Sequence, residues 1–162
     1  MPQAMITNVA GADGESFSTG PVMQDVVNTS TVAIPTGTLV AIKTPITGTT
    51  TTIFAVAAAT SVATTAPLNI GIAAGGNYPS SNILANNGTG QVVTHGHVRA
   101  LVDSTTSPTV VGHRLIIAGT TAGALSDAGT TTAAAGVNYG VVLEAVTISS
   151  GTSLVNIWFE KT

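Results

Sequence analysis

The chain has 162 residues, with four Lys or Arg against seven Asp or Glu and no cysteine. These counts exclude disulfides and thiolate metal centres, and the four basic residues (Lys43, Arg99, Arg114, Lys161) are too scattered for a phosphate-binding patch, so nucleic acid is not an expected partner. Charged residues make up 7% of the chain, against about 25% in ordinary soluble domains, which points to a surface of Thr and Ser hydroxyls largely covered by other chains.

The length suits one domain. Residues 1–31 read as an extended N-terminal arm and residues 32–162 as the domain itself. The opening Met1-Pro2-Gln3-Ala4-Met5-Ile6-Thr7 has neither the basic nor the apolar region of a secretory signal. Val9 to Ser16 is small, polar and without period, as loops are. Pro21 to Asn28 has strand-forming residues, but its apolar side chains come in pairs rather than alternating. Two readings stand for it: a strand that adds to a neighbouring protein's sheet edge, or the first strand of the domain. Met5, Ile6, Val22, Met23, Val26 and Val27 are the apolar residues of the arm that would contact a partner.

From about residue 32 the chain is a succession of short apolar runs divided by turn signals. Ile34-Pro35-Thr36-Gly37 is a turn, followed by the runs Thr38 to Lys43, Ile53 to Ala57 and Leu68 to Ala73. The stretch Ile53 to Ala63 is interrupted by Thr60 and Ser61, and it is far shorter than the roughly 20 apolar residues a bilayer span needs, so no membrane is expected. Ala55 to Ala66 has the alanines of a helix, yet its Thr, Ser and Val residues allow at most a short helical turn. Asn86 to Gly90 is a hairpin-type turn, because Asn-Gly tolerates the positive φ such turns require.

In His97 to Asp103 the alternation predicts Val98, Ala100 and Val102 toward the core and His97, Arg99 and Asp103 outward, with Leu101 as the exception. Val110 to Ile117 follows, turning at Gly112, and the chain closes on the strands Tyr139 to Val146 and Ser153 to Glu160, joined by a short loop. In the last strand Val155, Ile157 and Phe159 face the core. Many short antiparallel strands with frequent turns predict an all-β fold, a small β-barrel or sandwich carrying an extended N-terminal arm. With 4% aromatics, its core must be built from Val, Ile, Leu and Ala.

Chemistry-bearing residues are few. His95 and His97 are two apart on a strand and point to one face, as in metal-binding β-barrels, but no Glu follows among Val98 to Val102 and His113 is the one remaining histidine. A surface histidine pair is the simpler reading, with no metal and no cofactor. No Gly-x-Ser-x-Gly elbow and no phosphate-binding Gly-x-x-x-x-Gly-Lys pattern is present, so the chain is not expected to be an enzyme. Trp158, the sole tryptophan, lies on the face opposite Val155, Ile157 and Phe159. It is either a subunit-interface anchor or a partly covered residue at the end of a barrel.

The order of motifs carries a resemblance. Pro35-Thr36-Gly37-Thr38-Leu39-Val40, Ile70-Gly71-Ile72-Ala73, Gly96 to Val102, Val111-Gly112-His113-Arg114-Leu115, Gly123-Ala124-Leu125, Gly140-Val141-Val142-Leu143-Glu144 and the strand through Phe159 follow one another. This series resembles the small β-domain of tailed-phage capsid decoration (cement) proteins over residues 35–160. The resemblance implies a homotrimer on the outer capsid surface of the virion, bridging capsomers through the major capsid protein, with no active-site residues. The arm lies outside the matched stretch, and the expectation for it is packing against the major capsid protein. Two rivals remain: a phage tail, fibre or adhesin-type β binding module, and a metal-dependent β-barrel enzyme in which His95, His97 and His113 converge.

Overall fold

The computed structural model describes residues 20–28, 32–45, 54–58, 70–76, 83–84, 88–119, 121–132 and 138–161. These residues contain no helix. In chain order their strands are β1 (Val22–Asn28), β2 (Ile34–Pro35), β3 (Leu39–Pro45), β4 (Phe54–Ala58), β5 (Ile70–Gly76), β6 (Ile83–Leu84), β7 (Thr89–Asp103), β8 (Leu115–Ile117), β9 (Leu125–Asp127), β10 (Gly140–Val142) and β11 (Thr152–Phe159). The fold is all-β, as the turn-punctuated apolar runs predict. Phe54–Ala58 is strand, and the rest of the alanine-rich stretch, where a helical turn was an option, lies outside the described residues.

A nine-stranded sheet runs β1-β4-β3-β5-β7-β11-β10, with β8 and β9 attached through β7. Its organiser is β7, which at 15 residues is long enough to serve two neighbourhoods. The first half of β7 pairs with β1 and β5, and since β1 also pairs with β4, β4 with β3 and β3 with β5, these strands form a closed circuit. The second half pairs with β11 through Gly96 to Asp103 and, in parallel, with β9 at Val102. A bridge from Arg114 to Val141 joins the approach to β8 with β10. Most pairings are antiparallel; β1–β4 and β7–β9 are the parallel ones among the described residues.

Two apolar clusters result. The larger gathers Leu39, Ile72, Ala100, Val102, Leu115, Leu125, Val155, Ile157 and Phe159 among others, and the smaller gathers Val26, Ile34, Val40, Ala73 and Val92. Adjacent residues of β3, Leu39 and Val40, fall in different clusters, as do Ile72 and Ala73 of β5. Both strands are therefore buried on both faces. That is why their sequences read as continuous apolar runs rather than alternating ones. As composition requires, the clusters are aliphatic, with Phe159 and Tyr139 as the aromatic members.

Several expectations need correcting. Residues 22–28 are not part of an arm adding to another protein: β1 pairs with β7 of its own chain over Val22 to Val27. Val26 is fully buried in the smaller cluster, so it is a core residue and not an exposed partner contact. Asp103 does not face out: it is buried, with Oδ1 accepting from Thr105 N at 3.1 Å, because the chain turns beside it. The expected turn at Asn86 and Asn87 lies outside the described residues, and among the described residues no pairing joins β6 to β7. Instead β6 pairs with β2, and Thr89 and Gly90 already belong to β7. The strand expected over Tyr139 to Val146 is shorter, since the buried Thr109 hydroxyl donates to Glu144 O (2.8 Å) and accepts from Val146 N (2.9 Å). A side chain there takes the place of a ladder partner.

Tyr139 gives the fold a pH limit. Burial removes water from its hydroxyl and raises its pKa above the ordinary value, since desolvation disfavours the phenolate. Above about pH 10 the unfolded chain loses this proton while the folded chain keeps it, so stability is complete below that pH and declines as pH rises toward the folded value. The thermal midpoint should fall above about pH 10, and Tyr139→Phe should flatten part of that fall; an equally steep fall in the variant would refute the assignment.

Candidate functional site

The pleat of β7, β10 and β11 sends Val142, Val155, Ile157, Ala100 and Val102 inward. The intervening residues form an outer face, and register fixes its layout. Trp158 stands opposite Val141 on one side and His97 on the other, Asn156 opposite Arg99, and Leu154 opposite Leu101. Leu143 extends the face past the end of β10, its N–H donating to Asn156 O at 2.9 Å. Beyond Gly96 the face continues through His95, which pairs with Val22 of β1.

The face is apolar and exposed in places where a free surface would ordinarily be charged. Trp158 is 36% exposed, Leu143 42% and Val22 54%. It is also rigid. The His95 and Trp158 rings meet edge to face, with centroids 5.5 Å apart and planes at 84°. Asn156 is held by Glu144, whose Oε2 accepts from both its backbone N–H (3.2 Å) and its side-chain amide (2.7 Å). Arg99 is exposed and donates to Leu154 O at 3.2 Å. No carboxylate pairs with it among the described residues, whereas Arg114 is paired with Glu160 at 3.0 Å.

A second exposed apolar group sits at the turn after Thr109: Val110 and Val111. The turn is anchored by Asp127, a buried residue of β9. Its carboxylate accepts from Val110 N (3.0 Å) and Gly129 N (2.8 Å), and its Oδ1 lies 2.9 Å from His113 Nδ1. Gly112 N donates to Val142 O and Val142 N to His113 O, each at 2.9 Å, which stitches this turn to β10.

The sequence-predicted residues fall out as follows. Met5 and Ile6 lie outside the described residues. Val22 and Met23 are exposed, Val27 is half-buried and Val26 is core. His95 and His97 are exposed, both on the face around Trp158, while His113 is bound to Asp127. Among the described residues no three His, Cys, Asp or Glu side chains are placed to hold a metal ion.

No protein-family profile matches the chain, and none of the curated proteins does. Among solved structures it is similar to the head fiber gp8.5 N base of bacteriophage phi29, at 16% identity and a TM-score of 0.48, over 86% of this chain and 93% of that one. At that level the likeness establishes neither family nor function.

Sequence reading placed Trp158 and Arg99 on an outer face but missed that Leu143 and Val22 share it, because strand neighbours are set by long-range pairing. It also missed Asp127. One signal was present: Asp127-Ala128-Gly129 fits an Asx-turn, in which the carboxylate binds the N–H two residues on.

Proposed function

We propose that this chain is a non-enzymatic structural protein of a tailed-phage virion: a decoration protein that sits on the outer capsid surface as a homotrimer and braces contacts between capsomers through the major capsid protein. The observation that carries this reading is the outer face where Trp158 and Leu143 stand exposed and exposed Val22 pairs with His95. Contiguous exposed apolar surface on a folded domain marks an interaction site. Sparse charge over the whole chain fits a protein whose surface is mostly interface. Binding only to the assembled shell would stabilise that shell by mass action.

The ordered motifs behind the family resemblance map onto this framework. Gly37, Gly96, Gly112, Gly123 and Gly140 all have positive φ, so the motifs mark turns and close approaches that shape the domain.

The test is the solution mass of the purified chain, followed by co-sedimentation with empty phage shells. A trimer that sediments with shells supports the proposal. Loss of that binding on deletion of residues 1–19, which spares β1, assigns that segment to the shell contact, and a double substitution of Met5 and Ile6 by Ser tests whether those two residues carry it. A monomer indifferent to shells overturns the proposal in favour of a tail, fibre or adhesin-type module.

A further inference from the structure

We infer that His95 and His97 form a two-imidazole chelate for a divalent late first-row transition ion, Cu2+ ahead of Zn2+ or Ni2+. The site belongs to the isolated chain and stands or falls independently of the capsid reading. Its geometry follows from register. Residues directly opposite in an antiparallel pair share a face, so His97, opposite Trp158, lies on the outer face. The His95 ring meets the Trp158 ring edge to face with centroids 5.5 Å apart, which puts His95 on the same face. Both histidines are exposed, with buried Gly96 between them. Residues two apart on a strand are separated by about 6.4–6.8 Å, a span that two imidazole side chains can close around one ion, each nitrogen at about 2.0–2.1 Å.

The second observation is that the ring nitrogens are unspent. A histidine with a structural task commits a nitrogen to it, as His113 does to Asp127 at 2.9 Å. Among the described residues, neither His95 nor His97 gives a ring nitrogen to a hydrogen bond or an ion pair. The contact with Trp158 positions the His95 ring through its edge or face and consumes no lone pair.

The donor set decides the class of ion. Imidazole suits copper, zinc and nickel, whereas Ca2+ and Mg2+ call for carboxylate and carbonyl oxygen. Among the described residues no third His, Cys, Asp or Glu joins the pair, so water completes the coordination. Two ligands impose no closed tetrahedron, and the preference then follows the intrinsic order of the divalent series, with Cu2+ highest. Neighbouring positive charge is drawn aside: Arg99 donates to Leu154 O, and Leu154 stands opposite Leu101, so the guanidinium reaches along the strand away from His97.

The experiment titrates the purified full chain with copper, nickel and zinc chlorides near neutral pH, by calorimetry. The emission of Trp158, the sole tryptophan, serves as a local reporter that bound Cu2+ quenches. Wild type should take up one ion per chain, Cu2+ most tightly. His95→Gln and His97→Gln should each weaken Cu2+ binding by about tenfold or more, since loss of even an outer-shell partner costs that much, and the double variant should lose both the binding and the quenching. His113→Gln should change neither. Circular dichroism and solution mass of each variant confirm that the fold and assembly are unaltered. Wild-type affinity in either single variant overturns the chelate, because the imidazoles would then bind singly, as any exposed histidine does. An equal loss in His113→Gln overturns it by placing the ion elsewhere. Half an ion per chain with a doubled solution mass overturns it too, because the ion would then join two copies. The capsid reading is tested separately, by sedimentation with shells, and survives each of these failures.

Discussion

Asp127→Ala is expected to destabilise the fold by about 2–4 kcal/mol, because two backbone donors and the His113 ring lose their hydrogen-bond partner. The carboxylate is fully buried and has three neighbours that need it: Val110 N, Gly129 N and His113 Nδ1. Truncation leaves two part-buried backbone N–H groups and the His113 ring without their acceptor, and a stranded donor costs about 1–3 kcal/mol to the extent that water does not replace the lost partner. His113→Ala should cost less, about 1 kcal/mol, because the ring is on the solvent side of the pair and its loss strands no backbone donor. Asp127→Asn should fall between them, since an amide keeps one acceptor oxygen but turns an NH2 toward a donor. Urea denaturation with a common slope measures all three. An Asp127→Ala variant as stable as His113→Ala would show that the carboxylate is not the hub of the turn. The same variant should also loosen the turn that carries the exposed Val110 and Val111.

Gly140→Ala is the second large effect, expected to cost about 2–5 kcal/mol from backbone strain and overpacking together. Gly140 has φ +143, and a Cβ built there would overlap the backbone oxygen of Trp158, an atom of the paired strand β11 that cannot swing aside. Gly151→Ala is the control. It also has positive φ, +67, but a Cβ there meets nothing within 4 Å, so it isolates the conformational cost of about 1–2 kcal/mol. If the two variants unfold at the same denaturant concentration, crowding against β11 contributes nothing. Because Trp158 is the sole tryptophan, Gly140→Ala should also shift the emission of the folded protein, whereas Gly151→Ala should not.

Which parts of this protein were legible in advance follows the range of the interactions involved. Val155, Ile157 and Phe159 were assigned to the core from alternation within one strand, and each is fully buried. Gly37 and Gly112 were read as turns from local chemistry, and both have positive φ. Thr38 to Lys43 and Leu68 to Ala73 were recognised as strands, yet their lack of alternation concealed what they do. They separate two apolar clusters and are covered from both sides. A residue sequence records that both faces are apolar, but not that one chain segment serves two cores.

What the sequence determined by itself is the class of the molecule. Its low charge, its β-branched and hydroxyl-rich composition and its frequent turns point to an all-β domain, because those properties act through local backbone preference and overall surface. Only the tertiary structure decided the fate of β1, whose apolar pairs read equally well as an arm or as a strand. Val22 meets His95 across more than seventy positions of chain, and pairing at that separation depends on which other strands are in place. The same holds for Asp103 and Asp127. Alternation assigned Asp103 to solvent and gave no role to Asp127, and both are buried, each accepting hydrogen bonds from backbone N–H groups of the adjoining loops. The face around Trp158 is a product of that level as well: its members come from the four strands β1, β7, β10 and β11 and from Leu143 just past β10, and long-range register makes them neighbours.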